Sequence, residues 1–213
     1  LATARRVTEV ENYVRAGNWK GWHLKQLLGV DVHHATLGII GMGRIGQQIA
    51  RRASGFKMKV LYQNRNRWPA DVEKWLNAEY ASKEQVLRES DFVVLQVPYS
   101  PATHHYIGAA ELKMMKKSAI LINSTRGGVV DDAALVEALK NGTIRAAGLD
   151  VFENEPALNP GFLELKNVVL TPHIGSSTEA TRRAMAMTAA KNAVAALTGA
   201  TPPNLLNPEA AKA

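Results

Sequence analysis

The stretch GIIGMGRIGQQIARRA, residues 38–53, holds three glycines in a G-x-G-x-x-G spacing: Gly41, Gly43 and Gly46. It continues the apolar segment TLGII, and RIGQQIARRA after it has the pattern of a helix. Between a strand and a helix, this spacing is typical of a dinucleotide-binding turn. The first glycine permits the tight turn, the second lets the backbone approach a pyrophosphate, and the third lets the helix pack against the strand. Because the helix N-terminus also offers N–H groups to an anion, we expect a dinucleotide site rather than a plain strand-to-helix turn.

Apolar segments alternate with helical patterns on both sides of this turn. Predicted strands cover 36–41, 59–63, 92–97, 119–124, 146–151 and 167–171. Predicted helices cover 44–54, 70–76, 82–89, 109–115 and 131–140, with a long helix over about 178–198 and an amphipathic one over 1–17. This alternation predicts an α/β, Rossmann-like doubly wound parallel sheet covered on both faces.

The composition limits the classes of partner. The net charge of +7 raises the question of nucleic acid, but the basic residues are scattered and aromatics make up only 6%. An anionic small molecule is therefore the better fit, and no nucleic-acid partner is expected. No apolar run of membrane-spanning length occurs, so no membrane partner is expected either. The absence of cysteine fits a reducing compartment, and we expect a cytoplasmic protein.

The end of the second predicted strand, LYQNRNRW (61–68), bears on the choice of cofactor. NAD sites usually place an acid here for the ribose 2′-hydroxyl, whereas this chain has Asn64 and Arg65. Arginine can bind a 2′-phosphate through charged hydrogen bonds. We therefore predict that NADP(H) is preferred over NAD(H), with Arg65 as the main contact and Arg67 as a second candidate. The alternative is that both arginines are solvated loop charges.

Polar turns end three later strands and carry the residues suited to chemistry. The segments are LINSTRGGVVDDAALVEAL (121–139), AAGLDVFENEP (146–156) and VVLTPHIGSST (168–178). In open parallel sheets, ligands bind outside the carboxyl ends of the strands. We therefore expect Arg126, Asp150, Glu155 and His173 near the cofactor crevice.

These residue types suit the reduction of a 2-keto acid. Arg126 could hold the substrate carboxylate and polarise its carbonyl, and His173 could protonate the developing alkoxide. Glu155 beside that histidine would favour the protonated imidazole, and the cofactor would carry the hydride. A simpler alternative is that Arg126 pairs with Asp131 or Asp132.

Two adjacent histidine pairs, His33-His34 and His104-His105, raise the question of a metal site. No cluster of acids or cysteines accompanies either pair in the sequence, so no metal is expected.

Four motifs make the chain resemble the NAD(P)-dependent D-isomer-specific 2-hydroxyacid dehydrogenases. They are LGIIGMGRIGQQIA, STRGGVVDDAALVEAL, AAGLDVFENEP and TPHIGSST, in the family's order and spacing. The resemblance covers roughly residues 1–208. Within the family, GVDVHHATLGIIGMGRIG and the NRNR corner look most like the bacterial NADPH-dependent glyoxylate/hydroxypyruvate reductases, also called 2-ketogluconate reductases.

The resemblance implies roles for individual residues. Arg126 matches the substrate-binding arginine, and Glu155 and His173 match the catalytic acid–histidine pair; Arg126 and His173 also count as cofactor contacts. The further cofactor contacts are Met42, Gly43, Arg44 and Ile45 in the pyrophosphate loop, Val97, Pro98 and Thr103 along the adenosine, Thr125 and Asp150 at the nicotinamide, and Gly175 with Ser176 after the histidine.

The resemblance also implies a domain organisation. Residues 1–20 would form a linker and dimerisation helix, 21–177 the NAD(P)-binding domain, and 178–213 a C-terminal linker helix and tail. Family members usually carry a preceding segment that forms most of a substrate domain, so we expect that domain to be mostly absent here and turnover to be low or nil. A homodimer is expected, with Tyr13, Trp19 and Trp22 available for its surface or, alternatively, for core packing.

Two other functional hypotheses stay open. One is another family member, of phosphoglycerate or D-lactate dehydrogenase type, although the missing 2′-ribose acid speaks against NAD-preferring enzymes. The other is a dinucleotide-sensing module, like the corepressors built on the same fold. The Arg126, Glu155 and His173 set favours an enzyme.

Overall fold

The computed structural model describes residues 1–209 in two compact units. The first is Leu1–His173, and the second begins at Ile174. The first unit holds the sheet and every catalytic residue predicted from the sequence.

The first unit is built on a parallel sheet of seven strands in the order β3-β2-β1-β4-β5-β6-β7. The strands are β1 Thr36–Ile40, β2 Lys59–Gln63, β3 Ala78–Tyr80, β4 Phe92–Leu95, β5 Ile120–Asn123, β6 Ala146–Leu149 and β7 Val168–Leu170. The order reverses at β1, whose neighbours are β2 and β4, which creates the crevice where doubly wound sheets bind ligands. The predicted Rossmann-like sheet is confirmed.

Helices precede and connect the strands. They are α1 Val7–Arg15, α2 Arg44–Ala53, α3 Ala70–Leu76, α4 Lys83–Glu89, α5 Ala109–Met114 and α6 Asp132–Lys140, with 3₁₀ turns at Ser54–Phe56, Pro101–Thr103 and Pro160–Glu164. The side chain of Asp131 accepts the Ala134 N–H at 2.9 Å and so caps α6.

Two hydrophobic clusters fill the two faces of the sheet. In β2, Leu61 belongs to one cluster, while Val60 and Tyr62 belong to the other. This alternation follows from the two-residue period of a strand. Because both faces are covered, the strands are continuous apolar runs, as the sequence pattern predicted.

Among the strands and α-helices, two differences from the predicted elements exceed a shift of one or two residues at an end. Strand β3 was missed because it has only three residues, AEY, and lies at the sheet edge with Glu79 exposed. The predicted helix over 1–17 is shorter, since Arg6 has a left-handed backbone (φ 56°) and α1 begins only at Val7. Ahead of it, the carbonyl of Ala4 accepts the Val30 N–H at 2.9 Å.

The second unit contains the helix α7, Glu179–Leu197, which confirms the predicted long helix. Thr178 caps its start by accepting the Thr181 N–H at 3.2 Å. Asn192 and Asn204 exchange two hydrogen bonds that tie the following segment to the helix. The last part of the predicted tail, 210–213, lies outside the described residues. Within 1–209, no helix has the length and apolar character needed to cross a membrane.

Candidate active site

The glycine turn joins β1 to α2, and the surroundings of its three glycines differ. Gly41 has a φ of 97°, and a Cβ there would lie 2.6 Å from backbone atoms of Gln96. A Cβ on Gly46 would lie 2.8 Å from the carbonyl oxygen of Gly41. Around Gly43, by contrast, no atom lies within 4 Å of that position. The first and third glycines are thus needed by the fold, whereas the second leaves open space at the N-terminus of α2, where an anion can approach.

Because the surroundings differ in this way, a substitution at Gly43 should change the affinity for a dinucleotide without changing the stability of the fold. We expect Gly43→Ala to weaken dinucleotide binding by about tenfold or more, because the methyl group enters the space that a pyrophosphate needs. The free energy of unfolding should stay within about 1 kcal/mol of the parent value, since the methyl group meets no protein atom. Calorimetric titration and urea unfolding measure the two effects.

Gly55→Ala is the matched control, because a Cβ at Gly55 also meets no atom within 4 Å. It should leave both quantities unchanged. Equal dinucleotide affinity in the two variants would contradict the role given to Gly43.

The corner after β2 is hydrogen-bonded to the glycine turn. Asn64 Oδ1 accepts the Met42 N–H at 2.7 Å, and Asn64 Nδ2 donates to the Met42 carbonyl at 3.4 Å. That carbonyl also accepts the indole N–H of Trp68 at 2.8 Å. Asn64, predicted as a cofactor contact, therefore holds the turn in shape, and Trp68 does so with it. No pattern in the sequence singled out Trp68, although it closes the LYQNRNRW segment.

The two arginines of the corner differ. Arg67 makes two hydrogen bonds to Glu73, at 2.9 and 2.8 Å, and the Tyr62 hydroxyl donates to the same carboxylate at 2.8 Å. These bonds hold the pKa of Glu73 below its usual value, while burial raises the pKa of Tyr62 to about 12. Arg65 is exposed, and its guanidinium has no hydrogen bond or ion pair with any residue of 1–209. Arg65 is the arginine that is available to a ligand.

The acid–histidine pair forms between the ends of β6 and β7. His173 Nδ1 lies 2.9 Å from Glu155 Oε2, and the Phe152 N–H donates to Glu155 Oε1 at 2.9 Å. Burial alone would raise the pKa of Glu155, but these two hydrogen bonds outweigh it and hold the pKa below its usual value. Glu155 is thus a carboxylate fixed at both oxygens and directed at the imidazole.

His173 is itself held by the backbone. It has a left-handed conformation (φ 53°), and its N–H donates to the carbonyls of Asp150 and Thr171, at 3.0 and 3.1 Å. The Thr171 hydroxyl donates to Asp150 Oδ1 at 2.6 Å. Asp150, predicted to contact the nicotinamide, therefore also holds the segment that carries the histidine.

A cavity of about 950 Å³ reaches this pair at Glu155. Predicted site residues line its wall: Ile45, Val97, Pro98, Thr125, Arg126 and Glu155. Arg126 is exposed there, and its Nη1 donates to the carbonyl of Thr125 at 2.6 Å. Throughout 1–209 no carboxylate pairs with it, so the proposed pairing with Asp131 or Asp132 is not formed. Its guanidinium therefore faces the cavity with a backbone carbonyl, rather than a carboxylate, as its partner.

Other predicted contacts lie outside this wall. Thr103 donates to the Pro98 carbonyl at 2.7 Å and accepts the Ser100 N–H at 2.8 Å, so it shapes the loop after β4. Gly175 and Ser176 belong to the second unit, in a turn where the Ser177 N–H donates to the Ile174 carbonyl at 2.8 Å.

The structure also brings Glu153 next to the His104-His105 pair at the wall of the cavity. Glu153 Oε1 lies 2.5 Å from His105 Nε2, across 48 residues of sequence, and His104 stacks on His105. No cluster of acids or cysteines accompanies this histidine pair in the sequence, but the fold brings one acid, Glu153, next to it. A signal was present, since Glu153 belongs to the same VFENEP turn as Glu155.

Buried Asp132 supports that turn. Its Oδ2 accepts the Glu153 N–H at 3.0 Å. Burial raises the pKa of Asp132 to about 6, although the Glu153 N–H acts in the opposite direction. The side chain thus stabilises the loop that carries both Glu153 and Glu155.

A family model for the D-isomer specific 2-hydroxyacid dehydrogenase, NAD binding domain, matches residues 1–175. The chain belongs to the D-isomer-specific 2-hydroxyacid dehydrogenase family. The family membership predicted from the four motifs is confirmed, and the first unit corresponds to the family's dinucleotide-binding domain.

Relatives and solved structures agree with this family. A glyoxylate reductase of Pyrococcus horikoshii is 55% identical over 100% of this chain and 64% of its own length. The structure of the TT0316 protein of Thermus thermophilus has a TM-score of 0.90 at 46% identity, covering 97% of this chain and 64% of that one. A glyoxylate reductase structure from Paecilomyes thermophila has a TM-score of 0.83 at 39% identity, covering 92% and 58%. The chain thus spans about 64% of the length of the curated relatives.

Proposed function

We propose that this chain is the coenzyme-binding part of an enzyme that reduces a small 2-keto acid, glyoxylate or hydroxypyruvate, to the D-2-hydroxy acid with NADPH. The observation that carries the proposal is the Glu155–His173 hydrogen bond beside a cavity whose wall holds Arg126 without a carboxylate partner among residues 1–209. The glyoxylate reductases among the relatives support the choice of substrate.

The proposed chemistry divides among the chain's own residues. Arg126 binds the substrate carboxylate and polarises the keto group, as a planar guanidinium does well. His173 donates a proton to the alkoxide oxygen, and the Glu155 carboxylate keeps the imidazole oriented and favours its charged form. When bound, the nicotinamide cofactor supplies the hydride. The open space at Gly43 and the N-terminus of α2 fit its pyrophosphate.

The experiment that tests this function is an assay of the full-length protein with NADPH and, in parallel, glyoxylate, hydroxypyruvate, 3-phosphohydroxypyruvate and pyruvate. Preferred reduction of glyoxylate or hydroxypyruvate supports the proposal. Preference for pyruvate or the phosphorylated acid would favour the lactate or phosphoglycerate type instead. Dinucleotide binding without turnover of any of them would favour a sensing module.

The preference for NADPH rests on Arg65. We expect Arg65→Ala to weaken NADPH binding by roughly ten- to a hundredfold, since hydrogen bonds to charged groups contribute ~1.5–3 kcal/mol. NADH binding should hardly change, because NADH has no 2′-phosphate. Calorimetric titration of the chain with each dinucleotide measures both.

Arg67→Ala is the matched control from the same corner. Arg67 is already bonded to Glu73, so its removal should affect NADPH and NADH equally. A selective loss of NADPH affinity in Arg67→Ala, with none in Arg65→Ala, would reassign the 2′-phosphate contact. A preference of the parent chain for NADH would overturn the NADPH proposal.

We further propose a division into a linker and dimerisation segment (1–20), a dinucleotide-binding domain (21–177) and a C-terminal linker (178–213). Trp19 and Trp22 are 61% and 77% exposed, which favours their use in a homodimer surface over core packing. Sedimentation equilibrium measures whether the chain is a monomer or a dimer. A cytoplasmic location is proposed with it, because the chain has no cysteine.

A further inference from the structure

Three metal-ligating side chains converge on the wall of the cavity, outside the residues assigned to catalysis. One ring nitrogen each of His104 and His105 and a carboxylate oxygen of Glu153 lie within 4.8 Å of one another. The two imidazoles are stacked, with centroids 3.9 Å apart and planes at 23°. All three residues line the cavity. The donor atoms are therefore close together and reachable from solvent.

Each imidazole has a polar neighbour near its Nδ1 atom. His105 Nδ1 lies 3.8 Å from Asp131 Oδ2, and His104 Nδ1 lies 3.3 Å from the Tyr99 hydroxyl. Metal-ligating histidines commonly have a carboxylate or other hydrogen-bond partner behind them, which fixes the tautomer and the ring orientation. His105 Nε2 already faces Glu153 Oε1, so a bound ion would replace that hydrogen bond and take both atoms as ligands.

The backbone that presents these groups is also fixed. The His105 N–H donates to the Gly128 carbonyl at 2.7 Å, and the Glu153 N–H donates to Asp132 at 3.0 Å. A hydrogen bond between His105 and Glu153 would by itself account for the positions of these two side chains. It would not account for the ring nitrogen of His104, which lies within 4.8 Å of the other two donor atoms.

We propose that His104, His105 and Glu153 form a binding site for a divalent transition-metal ion, with Zn²⁺ as the probe. Two imidazole nitrogens and one carboxylate oxygen are a ligand set that Zn²⁺ accepts, with a fourth position open to solvent. Because Arg126, Val97 and Pro98 line the same cavity, the bound ion competes with NADPH for it. Binding of the metal ion at this site therefore inhibits NADPH binding reversibly.

The direct test is calorimetric titration of the chain with ZnCl₂ in a non-chelating buffer. One ion per chain is expected to bind. His104→Ala and Glu153→Gln should each raise the Kd by about tenfold or more, since losing even an outer partner of a metal site costs that much. Unchanged Zn²⁺ affinity in both variants, or no binding by the parent, overturns the proposal.

The second histidine pair provides the matched control. The double variant His33→Ala/His34→Ala removes two adjacent exposed histidines, of which His33 Nε2 lies 3.6 Å from Asp31. It should bind Zn²⁺ as the parent does. Loss of binding there instead would show that the ion prefers the other pair. Circular dichroism melts confirm that each variant is folded, and Glu153→Gln keeps a side chain of the same size.

A competition experiment tests the inhibitory part, which rests on the proposed function. NADPH should bind about fivefold or more weakly with Zn²⁺ near saturation, by mass action at a shared cavity. The Glu153→Gln variant should lose this effect. If the affinity for NADPH is the same with and without Zn²⁺, the proposed inhibition is overturned. If the chain fails to bind NADPH at all, the proposed function fails, while the Zn²⁺ titration still decides the metal site.

Discussion

His173→Asn is expected to lower kcat for keto-acid reduction by the full-length protein about 10²- to 10⁴-fold, the usual contribution of a positioned general acid. Asparagine can keep a hydrogen bond to Glu155, which lies 2.9 Å from His173 Nδ1, but it cannot deliver a proton. It also tolerates the left-handed backbone of this position (φ 53°), so the fold should be retained. NADPH affinity should change little. Steady-state kinetics and calorimetric titration separate the two quantities.

His34→Asn is the matched control for this variant. His34 is also an exposed histidine with a left-handed backbone (φ 62°), but it has been given no role in the reaction. Its replacement should leave kcat unchanged. If His173→Asn kept the parent's kcat, the proton donor would have to be another group, and the proposed mechanism would fail.

Gly127→Ala is expected to lower the free energy of unfolding by about 3 kcal/mol or more, in the upper range for overpacked positions. A Cβ there would lie 1.7 Å from the carbonyl oxygen of Phe152 and 2.9 Å from the Glu153 nitrogen. Both are backbone atoms, so no side-chain rotation relieves the clash. The VFENEP turn must move, and with it the Phe152 N–H that fixes Glu155. Urea unfolding measures the loss of stability.

Gly21→Ala is the control for the loss of glycine as such, because a Cβ at Gly21 meets no atom within 4 Å. Its free energy of unfolding should stay within about 1 kcal/mol of the parent value. Equal stability of the two variants would mean that the close approach of Gly127 to Phe152 is not maintained in solution.

Much of the fold could be predicted from local patterns. The glycine spacing, the apolar strands and the capping aspartate each express a preference of a few neighbouring residues, and the structure follows them at β1, α2 and α6. Strand β3 could not be predicted in the same way. Its three residues form a strand only because β2 is beside them in the sheet, with Val60 paired to Ala78.

The candidate site, like the fold, could be predicted only in part from the sequence. Parallel strands bring their carboxyl ends to one edge, so the sequence predicted that Arg126, Glu155 and His173 would lie near one another. Their roles in the reaction stay predictions. The sequence did not predict that His105 meets Glu153, because the contact joins two loops that are 48 residues apart.

By itself, the sequence determined the doubly wound sheet, the position of the dinucleotide turn and the family, because these depend on periodicity, glycine conformation and motifs along the chain. Only the tertiary structure decided which charged side chains form ion pairs. It pairs Arg67 with Glu73, and within 1–209 it leaves Arg65 and Arg126 without a carboxylate. The physical reason is that an ion pair depends on where two side chains lie in space: Arg67 reaches Glu73 in α3, whereas Arg65, two residues earlier, reaches no carboxylate within 1–209.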